Sequence, residues 1–164
     1  MNKTDLGTYI TDFVMQNQEK YYRVAYQYVR NREDALDVVH DAIKKAYSNM
    51  NSLKNPEYIR TWFYRIVVNT ALDLLRKKKK NIVIDDEILS NLDTGMMDKY
   101  EDVDLNNSLN ALPEQYRSVI ILRYIEDLKL DDIAEILNEN LSTVKRRLYK
   151  ALQILRIDMI EEDY

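Results

Sequence analysis

The stretch LKLDDIAEILNENLSTVKRRLYKALQILR, Leu128 to Arg156, holds two amphipathic helical patterns of unequal length joined by a short polar turn. A first helix over Leu130 to Leu137 turns Ile133, Ala134 and Leu137 inward; Asn138 to Asn140 make the turn. From Leu141 a longer helix turns Leu141, Val144, Leu148, Ala151, Leu152 and Leu155 inward. A helix-turn-helix needs a small residue where its helices approach, a turn residue that tolerates the left-handed conformation, and a branched core residue in the second helix. Ala134, Asn138 and Val144 meet these needs, and Asn140 can cap the second helix. Opposite the apolar side lie Ser142, Thr143, Arg146, Tyr149, Lys150 and Gln153, flanked by Lys145 and Arg147. Hydroxyls and cations there can read base edges in a major groove and hold phosphates, which favours DNA binding over a generic helical hairpin with a basic outer face. The preceding NNSLNALPEQYRSVIILRYIEDL supplies further core through Leu109, Leu112, Val119, Ile120, Leu122 and Tyr124.

Composition agrees with a helical protein. Of 164 residues, 46% are hydrophobic and 32% charged, enough to bury a core in one domain or two small modules. With two Gly and two Pro, few positions can make the tight turns an all-β fold requires. The absence of Cys excludes disulfides, thiolate metal sites and a Cys nucleophile, and the single His argues against a His-based triad or zinc site. No catalytic residue, metal or cofactor is expected, so the chain does not read as an enzyme. The N-terminus MNKTDLGTYITDFVMQNQEK lacks the order of a signal peptide, and no apolar run approaches the ~20 residues of a membrane span. A cytoplasmic protein is expected.

The net charge of -4 is unevenly spread: residues 1–80 carry +6, residues 81–104 carry -7 and residues 105–164 carry -3. The middle segment, NIVIDDEILSNLDTGMMDKYEDVD, has weak periodicity and a surplus of acid, and reads as a linker between two modules.

In the first module, Ile10, Phe13, Val14, Tyr21, Val24, Ala25, Tyr28 and Val29 recur at helical spacing from about Asp5 to Arg30. Asn31 can cap the next helix, whose apolar side carries Leu36, Val39, Ile43, Tyr47 and Met50. Its other side, with Asp34, Asp37, Asp41, Lys44 and Lys45, is either a solvated face with Asp41 paired to the nearby lysines or a docking surface, and His40 lies at its edge. Asn55 and Pro56 can open a further helical turn. In TWFYRIVVNTALDLLRKKKK, Thr61 to Lys80, the side chains of Trp62, Arg65, Asn69, Asp73 and Arg76 fall within roughly 80° of one another. Phe63, Ile66, Val67, Val68, Ala71, Leu72, Leu74 and Leu75 cover most of the rest. The helix therefore reads as embedded on most sides with a narrow exposed stripe. An indole that can stack on a splayed base, an amide for a base edge and cations for phosphate suit a melted strand. An ordinary bundle helix with a solvated basic end remains the other reading.

An acidic-faced helix, an aromatic and basic helix, an acidic tether and a helix-turn-helix, in that order, resemble the extracytoplasmic-function sigma factors, the two-domain members of the bacterial sigma-70 family. DALDVVHDAIKKAY is similar to the family's core-binding helix, TWFYRIVVNTALDLLRKKKK to its -10 promoter helix, and LNALPEQYRSVIILRYIEDLKLDDIAEIL with STVKRRLYKAL to its -35 domain. The resemblance implies an all-α fold of two small domains: a sigma-2-like bundle over 1–80 and a sigma-4-like helix-turn-helix domain over 105–164, joined by a flexible acidic linker over 81–104. It implies a protein that binds core RNA polymerase, recognises -10 and -35 promoter elements and helps open the duplex without covalent chemistry. Asp37, His40 and Asp41 would face the polymerase, with His40 standing where an amide side chain is more usual. Tyr58 would line a pocket for a flipped -10 base, Trp62, Arg65 and Asn69 would support it, and the basic run including Arg76, Lys77 and Lys78 would hold phosphates. Thr143, Lys145, Arg146, Tyr149 and Lys150 match the positions that contact the -35 element; Asn138 and Glu139 replace a usual Gly and a usual apolar residue in the turn. The linker would thread along polymerase or act as a solvated tether. An anti-sigma factor, often membrane-anchored in the family, is a further implied partner; no small-molecule substrate is. The competing functions are a stand-alone helix-turn-helix regulator of duplex DNA, which lacks a candidate dimerisation or sensing domain here, and a structural helical interaction protein.

Overall fold

The computed structural model of the chain describes residues 2–84 and 108–155, and every regular element among them is helical. The chain folds as two small all-α domains. The first contains α1 (Lys3–Gln16), α2 (Gln18–Val29), α3 (Arg32–Ser48) and α4 (Ile59–Ile84), with 3-10 turns Met50–Ser52 and Pro56–Tyr58 between α3 and α4. The second contains helical residues 108–111, then α5 (Glu114–Ile120), a π-helical turn Ile121–Ile125, α6 (Leu130–Leu137) and α7 (Leu141–Leu155). Of the segment expected as a linker, 81–84 continue α4, and 85–104 lie outside the described residues.

The periodic run from Asp5 to Arg30 is two helices, broken at Asn17. There the backbone N–H reaches the carbonyls of Phe13 and Val14, each at 3.1 Å, and the side-chain amide donates to Phe13 O at 2.8 Å. Asparagine thus gives the end of α1 an alternative hydrogen bond to the helical one, a break that apolar spacing alone does not reveal. Asn31 caps α3 as expected, accepting from Asp34 N at 3.0 Å.

Tyr21 is the centre of the first core. Its ring is fully buried, edge-on to Phe63 at 4.7 Å and to Tyr64 at 4.8 Å, and its hydroxyl donates to Arg60 O at 3.3 Å. These contacts tie α2 to the first turns of α4. The buried side of α3 differs from the expected one: Ala35, Val38, Val39, Ala42 and Ala46 face inward, whereas Leu36 is 45% and Tyr47 39% exposed. Large apolar residues dominate the visible period, but the alanines let the backbones approach closely, so the small side is the packed one.

In the second domain, Leu109, Leu112, Val119, Ile120, Leu122, Ile133, Val144, Leu148, Ala151 and Leu152 are buried as expected. Tyr124 is instead exposed, and in α6 Ile136 is buried while Leu137 is only partly so. The cause for Tyr124 is the π turn, in which Glu126 N donates to Ile121 O at 3.0 Å. An i→i−5 bond inserts a residue into the helical register and rotates Tyr124 outward.

Among the described residues the left-handed positions are taken by residues other than glycine: Arg30 (φ 54°), Asp127 (φ 53°) and Asn138 (φ 55°). Asn138 is the turn residue expected for this role. Asn138→Gly should leave stability near that of the parent, whereas Asn138→Ala should cost about 1 kcal/mol, because glycine has no Cβ to clash and asparagine offsets its Cβ clash by local hydrogen bonding, which alanine lacks. Urea denaturation read by circular dichroism separates the two; an alanine variant as stable as the glycine variant would contradict the assignment.

Candidate nucleic-acid interface

The α4 stripe is built as the pattern predicts. Phe63, Val67, Val68, Ala71 and Leu72 are buried, Ile66, Leu74 and Leu75 partly so, while Arg65, Asn69, Asp73 and Arg76 are exposed and Trp62 half-buried. Tyr64 and Thr70 add to the buried side. The loop before α4 then fixes the indole. Trp62 Nε1 donates to Ser52 Oγ at 2.8 Å, and that hydroxyl donates to Asn49 O at 2.7 Å. Asn55 accepts from Glu57 N at 3.0 Å, with Pro56 opening the 3-10 turn as expected, and Tyr58 at its end is 60% exposed. Tyr58, Trp62, Arg65 and Asn69 therefore belong to one loop-and-helix surface of the first domain. Ser52 is absent from any periodic pattern, since it acts through a loop ten positions before Trp62.

Asp37, His40 and Asp41 are all exposed on α3. Lys45 does not serve as a local partner for Asp41. It crosses to α4, donating to Thr70 Oγ1 at 3.1 Å and lying 3.8 Å from Asp73, which is also 3.6 Å from Arg76. Above these groups runs a groove of about 740 Å³ with Asp37, His40 and Asp41 on its α3 side and Asp73, Arg76 and Lys77 on its α4 side. Residues expected to meet polymerase and two of those expected to hold DNA thus share one groove. Lys78, the third of that basic set, is exposed on α4.

In α7, Asn140 caps the helix as expected, accepting from Thr143 N and from Ser142 Oγ, each at 2.9 Å. Lys145, Arg146 and Lys150 are exposed, Tyr149 is 48% exposed and Thr143 partly so. Arg147 turns back to Glu139 at 3.2 Å, which gives the acidic turn residue a partner and braces the turn against the helix it precedes. Arg146, Arg147 and Lys150 also line a cleft of about 280 Å³ with Gln115 and Tyr116 of α5. Those two residues are missed in the sequence because they lie on a different helix from the basic face.

Residues 13–81 match the family model Sigma-70 region 2, and residues 103–155 match Sigma-70, region 4. The chain is 50% identical over 161 residues to RNA polymerase sigma factor SigV of Bacillus subtilis, covering 98% of this chain and 95% of the relative. It is 32% identical over 160 residues to ECF RNA polymerase sigma factor SigW of the same organism, covering 88% and 86%. The sigma factor RpoE, solved in complex with the anti-sigma factor NepR from Bartonella quintana, has the same fold: TM-score 0.69 and 19% identity, over 90% of this chain and 97% of that one. The chain belongs to the extracytoplasmic-function group of the sigma-70 family, the class its two domains define. A stand-alone helix-turn-helix regulator is not favoured, because residues 13–81 match Sigma-70 region 2. No helix among the described residues is long and apolar enough to cross a membrane.

Proposed function

We propose that this chain works in the cytoplasm as a promoter-specificity subunit that joins core RNA polymerase, engages -10 and -35 elements and opens the duplex, with no covalent chemistry of its own. In this reading residues 1–80 bind core and the -10 element, 81–104 tether, and 105–164 bind the -35 element. Asp37, His40 and Asp41 meet a basic surface of the polymerase, for which two exposed carboxylates on one helix are suited. Tyr58, Trp62, Arg65 and Asn69 receive unstacked bases, with Lys78 on nearby phosphate. Opening then follows because stacking on the protein offsets an unstacking cost of roughly a few kcal/mol per step. Thr143, Lys145, Arg146, Tyr149 and Lys150 face the -35 duplex. An anti-sigma factor that holds the chain inactive is part of the proposal, motivated by the related fold solved with such a partner.

The observation that carries the reading is the Trp62–Arg65–Asn69 stripe, exposed on a helix whose other sides are packed. The test adds the purified chain to sigma-free core polymerase and a promoter library and maps RNA start sites. Specific starts are expected, and a folded protein giving none would sink the proposal. In the same assay Arg146→Ala should weaken discrimination at one -35 position by about 1–3 kcal/mol while core binding persists. Unchanged -35 selectivity would remove Arg146 from the reading set.

A further inference from the structure

The groove between α3 and α4 joins two sets of residues that the promoter-specificity reading separates. We infer that it seats one surface of core polymerase carrying charges of both signs, and that Arg76 and Lys77 belong to that interface rather than to DNA. The inference rests on the proposal that α3 binds core.

The groove's floor is satisfied within the protein: Lys45 bonds Thr70 at 3.1 Å and approaches Asp73 at 3.8 Å, and Asp73 lies 3.6 Å from Arg76. Its walls differ in sign. Lys45 and Asp73 offset each other in the floor; the α3 wall exposes Asp37, Asp41 and Lys44, a net -1, and the α4 wall exposes Arg76 and Lys77, a net +2, about the same 740 Å³ space. A phosphate strand laid there to meet Lys77 would be brought against two carboxylates. A uniformly basic protein surface drawn to Asp37 and Asp41 would in turn be brought against Arg76 and Lys77. Like charges across an interface cost several kcal/mol, so neither occupant suits both walls. A protein surface with a basic row toward α3 and a carboxylate toward α4 does. Such an arrangement also defines register, because sliding or reversing the partner sets like charges against each other. The acidic face of α3 alone attracts a basic surface without setting its direction, and the α4 cations supply the missing sense.

The position of the DNA stripe is consistent with this division. Trp62 and Arg65 lie toward the start of α4 beside the Ser52 loop, whereas the groove residues Asp73, Arg76 and Lys77 lie further along it.

The test measures binding of the full-length, fluorescently labelled chain to sigma-free core polymerase by anisotropy without DNA, for the parent, for Asp37→Lys and for the double variant Arg76→Glu with Lys77→Glu. Each variant is expected to lose core affinity about tenfold or more. Arg76→Gln with Lys77→Gln, which removes charge without reversing it, should lose less and serves as the readout if the glutamate variant does not fold by circular dichroism. The inference is overturned if Asp37→Lys weakens core binding while both α4 variants stay within about twofold of the parent. Loss of forked promoter DNA binding by those variants in the assembled holoenzyme would then assign Arg76 and Lys77 to phosphate. If Asp37→Lys also binds as the parent does, the underlying reading of α3 fails and the inference falls with it. Loss confined to the α4 variants overturns it too, because the proposed partner engages both walls.

Discussion

Phe63→Ala should cost the first domain about 3–5 kcal/mol, a large fraction of the stability of a domain this small. Phe63 is fully buried and packs its ring against the edge of Tyr21, which also meets Tyr64 and bonds Arg60 O. Truncation removes the aromatic contact and leaves a cavity that the surrounding rings, fixed by one another, fill only in part. The single tryptophan of the chain lies one residue away, so its fluorescence during urea denaturation reports this domain. A loss below about 1 kcal/mol would show that α4 is not seated on Tyr21 as described.

Trp62→Ala, at the adjacent position, should produce the opposite pattern. Stability should fall much less, because Trp62 is only half-buried, while open-complex formation should drop by roughly 5-fold to 150-fold, the equivalent of about 1–3 kcal/mol per stacked base. Core binding should be retained. Asn69→Ala, exposed two turns further along the stripe, should act in the same direction. Permanganate footprinting of melted thymines reads opening, and anisotropy reads core binding. If both variants lose core binding together with opening, the stripe is part of the docking surface and its assignment to DNA is wrong.

Why some of this was legible in the sequence and some was not follows from the range of each signal. The helix-turn-helix rests on local chemistry: an asparagine that accepts a left-handed backbone at 138, a capping asparagine at 140 and a branched residue at 144 each act within a few residues of themselves. The embedded α4 was equally visible, because its apolar residues cover most of the wheel. Alanine misled the reading of α3: Ala35, Ala42 and Ala46 carry little hydrophobic weight yet occupy the packed face, while the bulkier Leu36 and Tyr47 stand out. The π turn was hidden for another reason, since it depends on a backbone register that no side-chain pattern records. Ser52 holding Trp62, Lys45 reaching Thr70, and the shared groove of Asp37 and Lys77 require knowing which helices are neighbours. That information is tertiary.

α4 runs unbroken from Ile59 to Ile84. An α-helix rises about 1.5 Å per residue, so Arg65 and Lys77 stand about 18 Å apart along a single stiff axis. With no hinge between them, the helix acts as a ruler. In the proposed reading, where Lys77 meets polymerase and Arg65 the melted strand, that fixed length carries the point of strand separation to a set offset from the polymerase contact, so the place where the duplex parts is measured in protein geometry before any base is read.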